Sequence, residues 1–476
     1  MHVDTLIVGQ GLAGTLLAHF LMEAGQTVCV IDDDYPRAAS RVAAGVINPV
    51  TGRSFVKSWR VDELIPFARE TYQQLESLLG LPLYHERNIL RALSHQGDEN
   101  DWLGRSADPA YHDYIIDPAD VSAFTGKINP AFSYGELQHA SQVDIGRLCA
   151  AFRSFLINKN SFQKETFDYN KLEISISAET QNFASQQITP PTPEGETLPH
   201  TVASHSRTVV QSQSPPPPEG ETLPHTVAKS YSRTVVQSQS RFPTPPEGET
   251  LPHTVAKSYS RTVVQSQSSF PTPPTPEGEP LPRTVAQSHS RTVVQSYSRT
   301  VAYQGITAAS LVFAEGAKAT HNPYFNYLPF IGDKGEVLIV KIPGAHFPKM
   351  LKQGVFIIPF GKPEEELYWI GTTYERNFEH DEPSPHSKAT LIDQLSEVLT
   401  LPFEVVDHLA AIRPTVKDRR PFLGFHPQFE QLAIFNGLGT KGTSLAPFWA
   451  KHLADRLVHG SPLDRQVDIA RFLTHN

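Results

Sequence analysis

The first residues that could do chemistry lie in Thr5-Leu-Ile-Val-Gly-Gln-Gly-Leu-Ala-Gly14, where an apolar β-branched run leads into Gly-x-Gly-x-x-Gly. Gly9 permits a tight turn, Gly11 lets the backbone approach a pyrophosphate, and Gly14 lets the following helix pack close to the strand. A second apolar run, Thr27-Val-Cys-Val-Ile31, ends at Asp32, 18 residues beyond Gly14, where a carboxylate can accept hydrogen bonds from a ribose diol. Glycine spacing alone is weak. Strand, glycines, helix, strand and terminal acid in that order within 32 residues predict a dinucleotide site, with the pyrophosphate at the helix N-terminus. Asp33 and Asp34, next along, read as solvated loop acids.

Other signals lie far from this one in sequence. Ser40-Arg-Val-Ala-Ala-Gly-Val46 follows the second strand. Near the C-terminus, Ala411-Ile-Arg-Pro-Thr-Val416 precedes a strand at Leu432-Ala-Ile-Phe435, and Asn436-Gly-Leu-Gly-Thr-Lys-Gly-Thr-Ser444 then opens a helix. In this order the motifs resemble the D-amino-acid oxidase-like (DAO) family of FAD-dependent oxidoreductases, the relatives of glycine oxidase and sarcosine oxidase. The Gly-Leu-Gly-Thr-Lys-Gly loop is also similar to the oxidoreductase half of a bifunctional enzyme that finishes a modified wobble uridine in tRNA.

The resemblance implies FAD. Gly9, Gly11, Gly14 and Asp32 would hold its pyrophosphate and adenosine ribose, and Arg41, Ala44 and Gly45 would line its middle. Gly316 would close the third strand that approaches the cofactor. Gly439, Thr440, Lys441, Gly442 and Thr443 would aim backbone N–H groups at the flavin pyrimidine edge, where the reduced ring carries negative charge. Lys441 would either add charge there or stand in an exposed loop. Arg413 matches the arginine that forks onto a substrate carboxylate, a bidentate geometry that lysine lacks; the alternative is a structural salt bridge, for instance to Asp418.

Two positions depart from the pattern. The final loop reads Gly439-Thr-Lys-Gly442 where glycine oxidase has a second arginine, which counts against glycine itself as substrate. Pro359-Phe360 stands where the family has Pro-Arg. Cys29 and Cys149 fall in predicted buried elements, so FAD is expected to be noncovalent. Lys57 and Lys341 are candidates for assisting oxygen by residue type alone.

The reaction implied is oxidation of the C–N bond of an amino acid or N-substituted glycine by hydride transfer to flavin N5. Its partners are a small-molecule amine or amino acid and oxygen or another electron acceptor. The alternatives are oxidation of a carboxymethylamino group on a tRNA uridine, and a flavin-binding or repeat-mediated interaction protein without turnover. Other catalytic motifs do not occur: the chain has no Gly-x-Ser-x-Gly, His-Glu-x-x-His or Walker loop. His380, Asp381, Glu382 and His386 cluster, but Pro383 and Pro385 break a helical ligand face, so no metal is expected.

The fold expected to carry these residues is α/β: a discontinuous Rossmann-like FAD-binding domain (residues 1–85, 141–188, 302–325 and 405–476) with a second α+β substrate domain (86–140 and 326–404). Alternating apolar runs at Gly335-Glu-Val-Leu-Ile-Val-Lys-Ile342, Gly354-Val-Phe-Ile-Ile-Pro359 and Tyr368-Trp-Ile-Gly-Thr372 predict an antiparallel sheet for the latter.

Residues 189–301 interrupt this plan. They hold 19 of the chain's 40 prolines, and Pro-Glu-Gly-Glu recurs at Pro193, Pro218, Pro246 and Pro276. Each unit offers one leucine and a few valines between prolines, too little apolar surface to offset roughly 1–2 kcal/mol of ordering cost per residue, and the drifting period suits no stacked solenoid. The segment is expected to be a disordered insertion in a hairpin. With 41 Lys+Arg against 50 Asp+Glu, the chain lacks the concentrated basic charge of a nucleic-acid binder. Two cysteines exclude a disulfide framework, no apolar run is long enough for a membrane span, and the N-terminus carries no signal pattern, so a cytoplasmic location is expected.

Overall fold

The computed structural model describes residues 1–179 and 296–473. The chain divides into one unit of Met1–Ile174 and Thr300–Asn476 and a second of Ser175–Arg299. The repeats expected to be disordered over 189–301 lie outside the described residues as far as 295. The last of them belong to a strand, Ser296–Tyr303, so the sheet begins earlier than the repeat pattern suggests.

The nucleotide-side sheet starts from the two runs that flank the glycine motif. His2–Val8 is paired in parallel with Val28–Asp32 on one side and Ile306–Phe313 on the other. Phe162–Lys164 extends the sheet in parallel beyond Val28–Asp32, and Leu432–Asn436 pairs in parallel with the end of Ile306–Phe313. Ser296–Tyr303 and then Leu172–Glu179 continue it at the start of Ile306–Phe313. Gln304 and Gly305 connect Ser296–Tyr303 to Ile306–Phe313, both with positive φ, as a two-residue hairpin turn requires.

Helices cover this sheet because their apolar positions are too numerous for a surface. Leu12–Glu23 buries Leu16, Leu17, Phe20 and Leu21 and stops where Gly25 takes φ 79°. Gly442–His459 packs beside it, as does Ile145–Asn158. Among the described residues no helix is long and apolar enough to cross a membrane.

The second sheet has eight strands in the order Glu404–Val416, Phe330–Lys341, Leu367–Gly371, Val355–Phe360, Met350–Gln353, Ile89–Leu93, Ser133–Leu137 and Ile115–Ile116. All neighbours are antiparallel except Met350–Gln353 and Ile89–Leu93. That parallel pair is the seam between chain segments separated by more than 200 residues, which no hairpin periodicity reveals.

Candidate active site

A cavity of about 1240 Å³ is lined from both sheets. Its walls include Gly9, Gly11, Asp32, Arg41, Ala44, Gly45, Gly316, Arg413, Gly439, Thr440, Gly442 and Thr443. Two of the expected site residues, Gly14 and Lys441, do not line it. Gly14 instead meets the preceding turn, where a β carbon would collide with the Gly9 carbonyl. Gly9 itself, at φ 101°, lies against the Ala314 carbonyl, so neither position admits a larger residue without backbone movement. Close backbone approach, of the helix to the turn at Gly14 and of the turn to the end of Ile306–Phe313 at Gly9, is therefore the physical reason for two of the three glycines.

Two helix N-termini face this space. Neither Leu12–Glu23 nor Gly442–His459 has a side-chain cap, and the residues at both starts line the cavity. Each presents free N–H groups and a partial positive charge of about half a unit. Ser40 Oγ accepts from Leu12 N at 2.9 Å and stands against Gly11, where a β carbon would lie 3.0 Å from it. Helix-start donors, crowded glycines and a cavity of about 1240 Å³ lined by both helix starts fit the phosphate and flavin ends of an FAD molecule.

Asp32 is fixed rather than free. Its Oδ2 accepts from Gln10 N at 2.7 Å, and its Oδ1 accepts from Asp34 N at 2.8 Å and from Arg153 Nη2 at 2.9 Å. Burial raises its pKa, against the opposing pull of the Gln10 N–H and the Arg153 charge. The two acids that follow are not solvated loop acids. Asp33 pairs with Lys318; Asp34 accepts from Arg41 and Arg153 and pairs with Lys164 Nζ at 3.1 Å. Arg153, on Ile145–Asn158, ties all of this together and also donates to Gln10 Oε1 at 2.7 Å. It lies 121 residues from Asp32 in sequence, without any local motif to announce it.

At the other end of the cavity stands Arg413, on the strand Glu404–Val416. Nη2 donates to Thr372 Oγ1 at 2.7 Å, the Tyr374 ring lies 4.7 Å from the guanidinium carbon, and Nη1 is buried with no partner among the described residues. The expected rival partner, Asp418, is engaged by Arg471 Nε at 3.0 Å instead. Asp333, directly across the ladder from Arg413, accepts from Arg376 Nε at 3.2 Å and Thr415 Oγ1 at 2.9 Å. Arg413 thus has no ion pair among the described residues, and burial lowers its pKa. A guanidinium remains charged there all the same.

A network behind the sheet holds this arrangement. Glu336, almost fully buried, lies 3.1 Å from Lys334 Nζ and 2.9 Å from His408 Nε2, and accepts from Ser384 N at 2.8 Å. Its carbonyl accepts from Thr372 Oγ1 at 3.1 Å, which orients the hydroxyl toward Arg413. Beyond Tyr374 the chain reaches Asp381, which accepts from Tyr35 and pairs with Arg37 Nε at 3.1 Å, so this acid closes the cavity wall. Among the described residues no group of three or more His, Cys, Asp or Glu side chains is placed to hold a metal.

The lysines chosen by type do not reach the cavity. Lys57 is bound to Asp62 at 2.8 Å, and Lys341 is exposed. Lys441 turns away, donating to Thr51 Oγ1 at 3.0 Å and Ser58 Oγ at 2.9 Å; burial and the charges of Arg419 and Arg420 lower its pKa. It is neither a cavity residue nor an exposed loop lysine. Both cysteines are buried, and burial pushes the Cys149 thiol up to about 12.

Comparison with known proteins agrees with this geometry. A glycine oxidase of Pseudomonas aeruginosa is 27% identical over 139 residues, which is 29% of this chain and 37% of that protein's length. Among solved structures, glycine oxidase from Geobacillus kaustophilus superposes with a TM-score of 0.60 at 16% identity, covering 100% of this chain and 99% of its own. Iminodiacetate oxidase from Chelativorans sp. BNC1 gives 0.58 at 15% identity with 98% coverage of each chain. L-proline dehydrogenase from P. horikoshii gives 0.56 at 11%, covering 99% of this chain and 97% of its own. At such identities these structures establish a shared fold. The family model for FAD dependent oxidoreductases (DAO) matches residues 4–160 and 283–456, most of the chain, and the protein therefore belongs to that family of flavoenzymes.

Proposed function

We propose that this flavoenzyme oxidises the C–N bond of an amino acid or N-substituted glycine whose carboxylate is held by Arg413. The observation that carries the reading is the buried Nη1 of Arg413, a residue that lines the cavity with Thr372 and Tyr374 and whose Nη1 has no partner among the described residues. A buried unpaired N–H on a charged group is costly, and a bidentate carboxylate would satisfy Nη1 and Nη2 together. Relatives named as glycine oxidase, iminodiacetate oxidase and L-proline dehydrogenase support a C–N donor of this size.

FAD supplies the hydride acceptor when bound, and the protein supplies orientation. Gly9, Gly11, the N-terminus of Leu12–Glu23 and Asp32 would hold the diphosphate and ribose, Arg41, Ala44, Gly45 and Gly316 would border the middle, and the N-terminus of Gly442–His459 would meet the flavin ring. Arg413 fixes the substrate's carboxylate, Thr372 and the Tyr374 ring fix Arg413, and apolar Val337, Ile358 and Trp369 exclude water beside it. Oxygen or another small acceptor takes the electrons in the second half-reaction. The test is a screen of amino acids and N-methyl or N-carboxymethyl amines for anaerobic bleaching of the flavin. Bleaching by carboxylated amines supports the reading, and bleaching only by amines without a carboxylate refutes it.

A further inference from the structure

A row of paired residues crosses the second sheet beneath the substrate end of the cavity. Leu409 pairs with Val337, Val337 with Gly371, Gly371 with Phe356, Phe356 with Lys352, and Lys352 with Arg91. Paired residues project from the same face. Leu409, Val337 and Phe356 line the cavity, and the next two members of the row, both cations, follow on the same face of the sheet just beyond that lining. Neighbouring strands stand about 4.8 Å apart, which places Lys352 about 10 Å across the sheet from Gly371.

Neither cation has a carboxylate partner within salt-bridge reach among the described residues. Lys352 Nζ donates once, to Gly354 O at 2.5 Å, and lies 5.0 Å from the Phe356 ring centre. Arg91 donates once, through Nη2 to Gly52 O at 2.9 Å, and its guanidinium lies 4.6 Å from the Phe55 ring centre. The acid that acts on Arg91 through space is Asp98, whose carboxylate already accepts from Ser94 N at 2.9 Å. Burial and the adjacent Arg91 charge bring the Lys352 pKa down to about 8. Two like charges side by side in a half-buried row repel each other, and an oxyanion between them would relieve both.

We infer that Lys352 and Arg91 form a second oxyanion subsite, and that the preferred substrates carry a further anionic group beyond the carboxylate on Arg413. This rests on the Arg413 reading of the substrate. An N-substituted glycine or amino acid with a distal carboxylate or phosphate would span from Arg413 across Val337 and Phe356 to the cation pair. The row supplies apolar contact for the middle of the molecule and charge at both ends.

The test uses the FAD-loaded full chain and the visible flavin spectrum as a binding readout. It is titrated with α,ω-dicarboxylates of increasing length, with monocarboxylates of matching length, and with ω-phosphonocarboxylates. At one length the dianion should bind at least about tenfold more tightly than its monoanion partner, the loss expected for one charge-assisted contact. Lys352→Met should abolish that ratio, and Arg91→Met should reduce it. The carboxylate and phosphonate arms identify which anion the subsite prefers. A dianion advantage absent at every length, or one that survives both substitutions, overturns the inference. Failure of the Arg413 reading has a different sign: monocarboxylate binding would then be indifferent to Arg413→Lys.

Discussion

The guanidinium of Arg413 lies over the α carbon of Gly335, so that a β carbon at that position would collide with Nη1, Nη2 and Cζ together. Gly335 does not take a positive φ, so space for the arginine is its physical requirement. Gly335→Ala is expected to displace the fork while the ladder to Ala411 persists. A shift of about 1 Å in such a group can cost about a hundredfold. Steady-state kinetics should show kcat/KM for carboxylated amines reduced by one to two orders of magnitude, with flavin content and melting temperature nearly unchanged.

Removal of the fork itself should be more severe. Arg413→Ala should lower kcat/KM by about two orders of magnitude or more, because charge-assisted bonds are worth roughly 1.5–3 kcal/mol each. Arg413→Lys should recover part of that loss, since an ammonium keeps the charge without the planar pair of donors. Amines lacking a carboxylate provide the control. Equal sensitivity of both substrate classes would mark Arg413 as structural.

Asp32 should matter for cofactor retention. Acid precipitation is expected to release intact FAD into the supernatant, and chromatography of that supernatant checks both identity and the noncovalent link. Asp32→Ala should weaken FAD binding by about tenfold or more, through loss of a charged acceptor and of the clamp on Gln10 N and Arg153. Unchanged FAD affinity would remove Asp32 from the site.

The described strands define where the repeats can be cut away. Joining Leu172–Glu179 to Ser296–Tyr303 by a short turn, with 180–295 deleted, should give a yellow protein with undiminished thermal stability. Lengthening a loop from about 5 to about 116 residues costs only roughly 3 kcal/mol of closure entropy, so the deletion returns an amount of that order. A colourless or aggregated product would give the repeats a part in the fold.

Glu315 should make stability depend on pH. It accepts from Tyr169 and, at 2.7 Å, from Asn322 Nδ2, and burial raises its pKa from 4.5 to about 6. The folded form therefore holds this proton more tightly than the unfolded chain. Its contribution is fully present below about 4.5 and is lost as pH rises through about 6, a change on the order of 2 kcal/mol. Denaturant titrations of wild type and Glu315→Gln across pH 4–7 should diverge over that window, with the variant showing the flatter profile. Parallel profiles would place the titration elsewhere.

The parts of the site that were legible in the sequence are those built by short stretches of chain. Gly9, Gly11 and Asp32 declared themselves because one βαβ unit contains the turn, the helix start and the acid within 32 residues. The rest depends on partners brought together by the fold. Thr372 lies 41 residues from Arg413 and reaches it only through the ladder. Asp33 and Asp34 looked solvated because Arg41, Arg153, Lys164 and Lys318 come from four different elements or loops. Lys441 was misjudged for a related reason: a glycine-rich loop suggests where its backbone points, whereas Thr51 and Ser58 decide where its side chain goes.

The distribution of the cavity wall along the chain has a consequence for biosynthesis. Its earliest contributor is Val8 and its latest is Thr443, 435 residues further along. A ribosome delivers the glycine turn and Asp32 first, but the strand bearing Arg413 and the helix that flanks Leu12–Glu23 follow only about 370 residues later. The nascent polypeptide therefore exposes half a nucleotide cradle through that interval, and the pocket closes only once Gly442–His459 leaves the exit tunnel. A chain cut between Asp32 and Glu404 therefore carries the glycine turn and its acid, yet lacks the strand of Arg413 and the second helix start, and cannot enclose its prosthetic group.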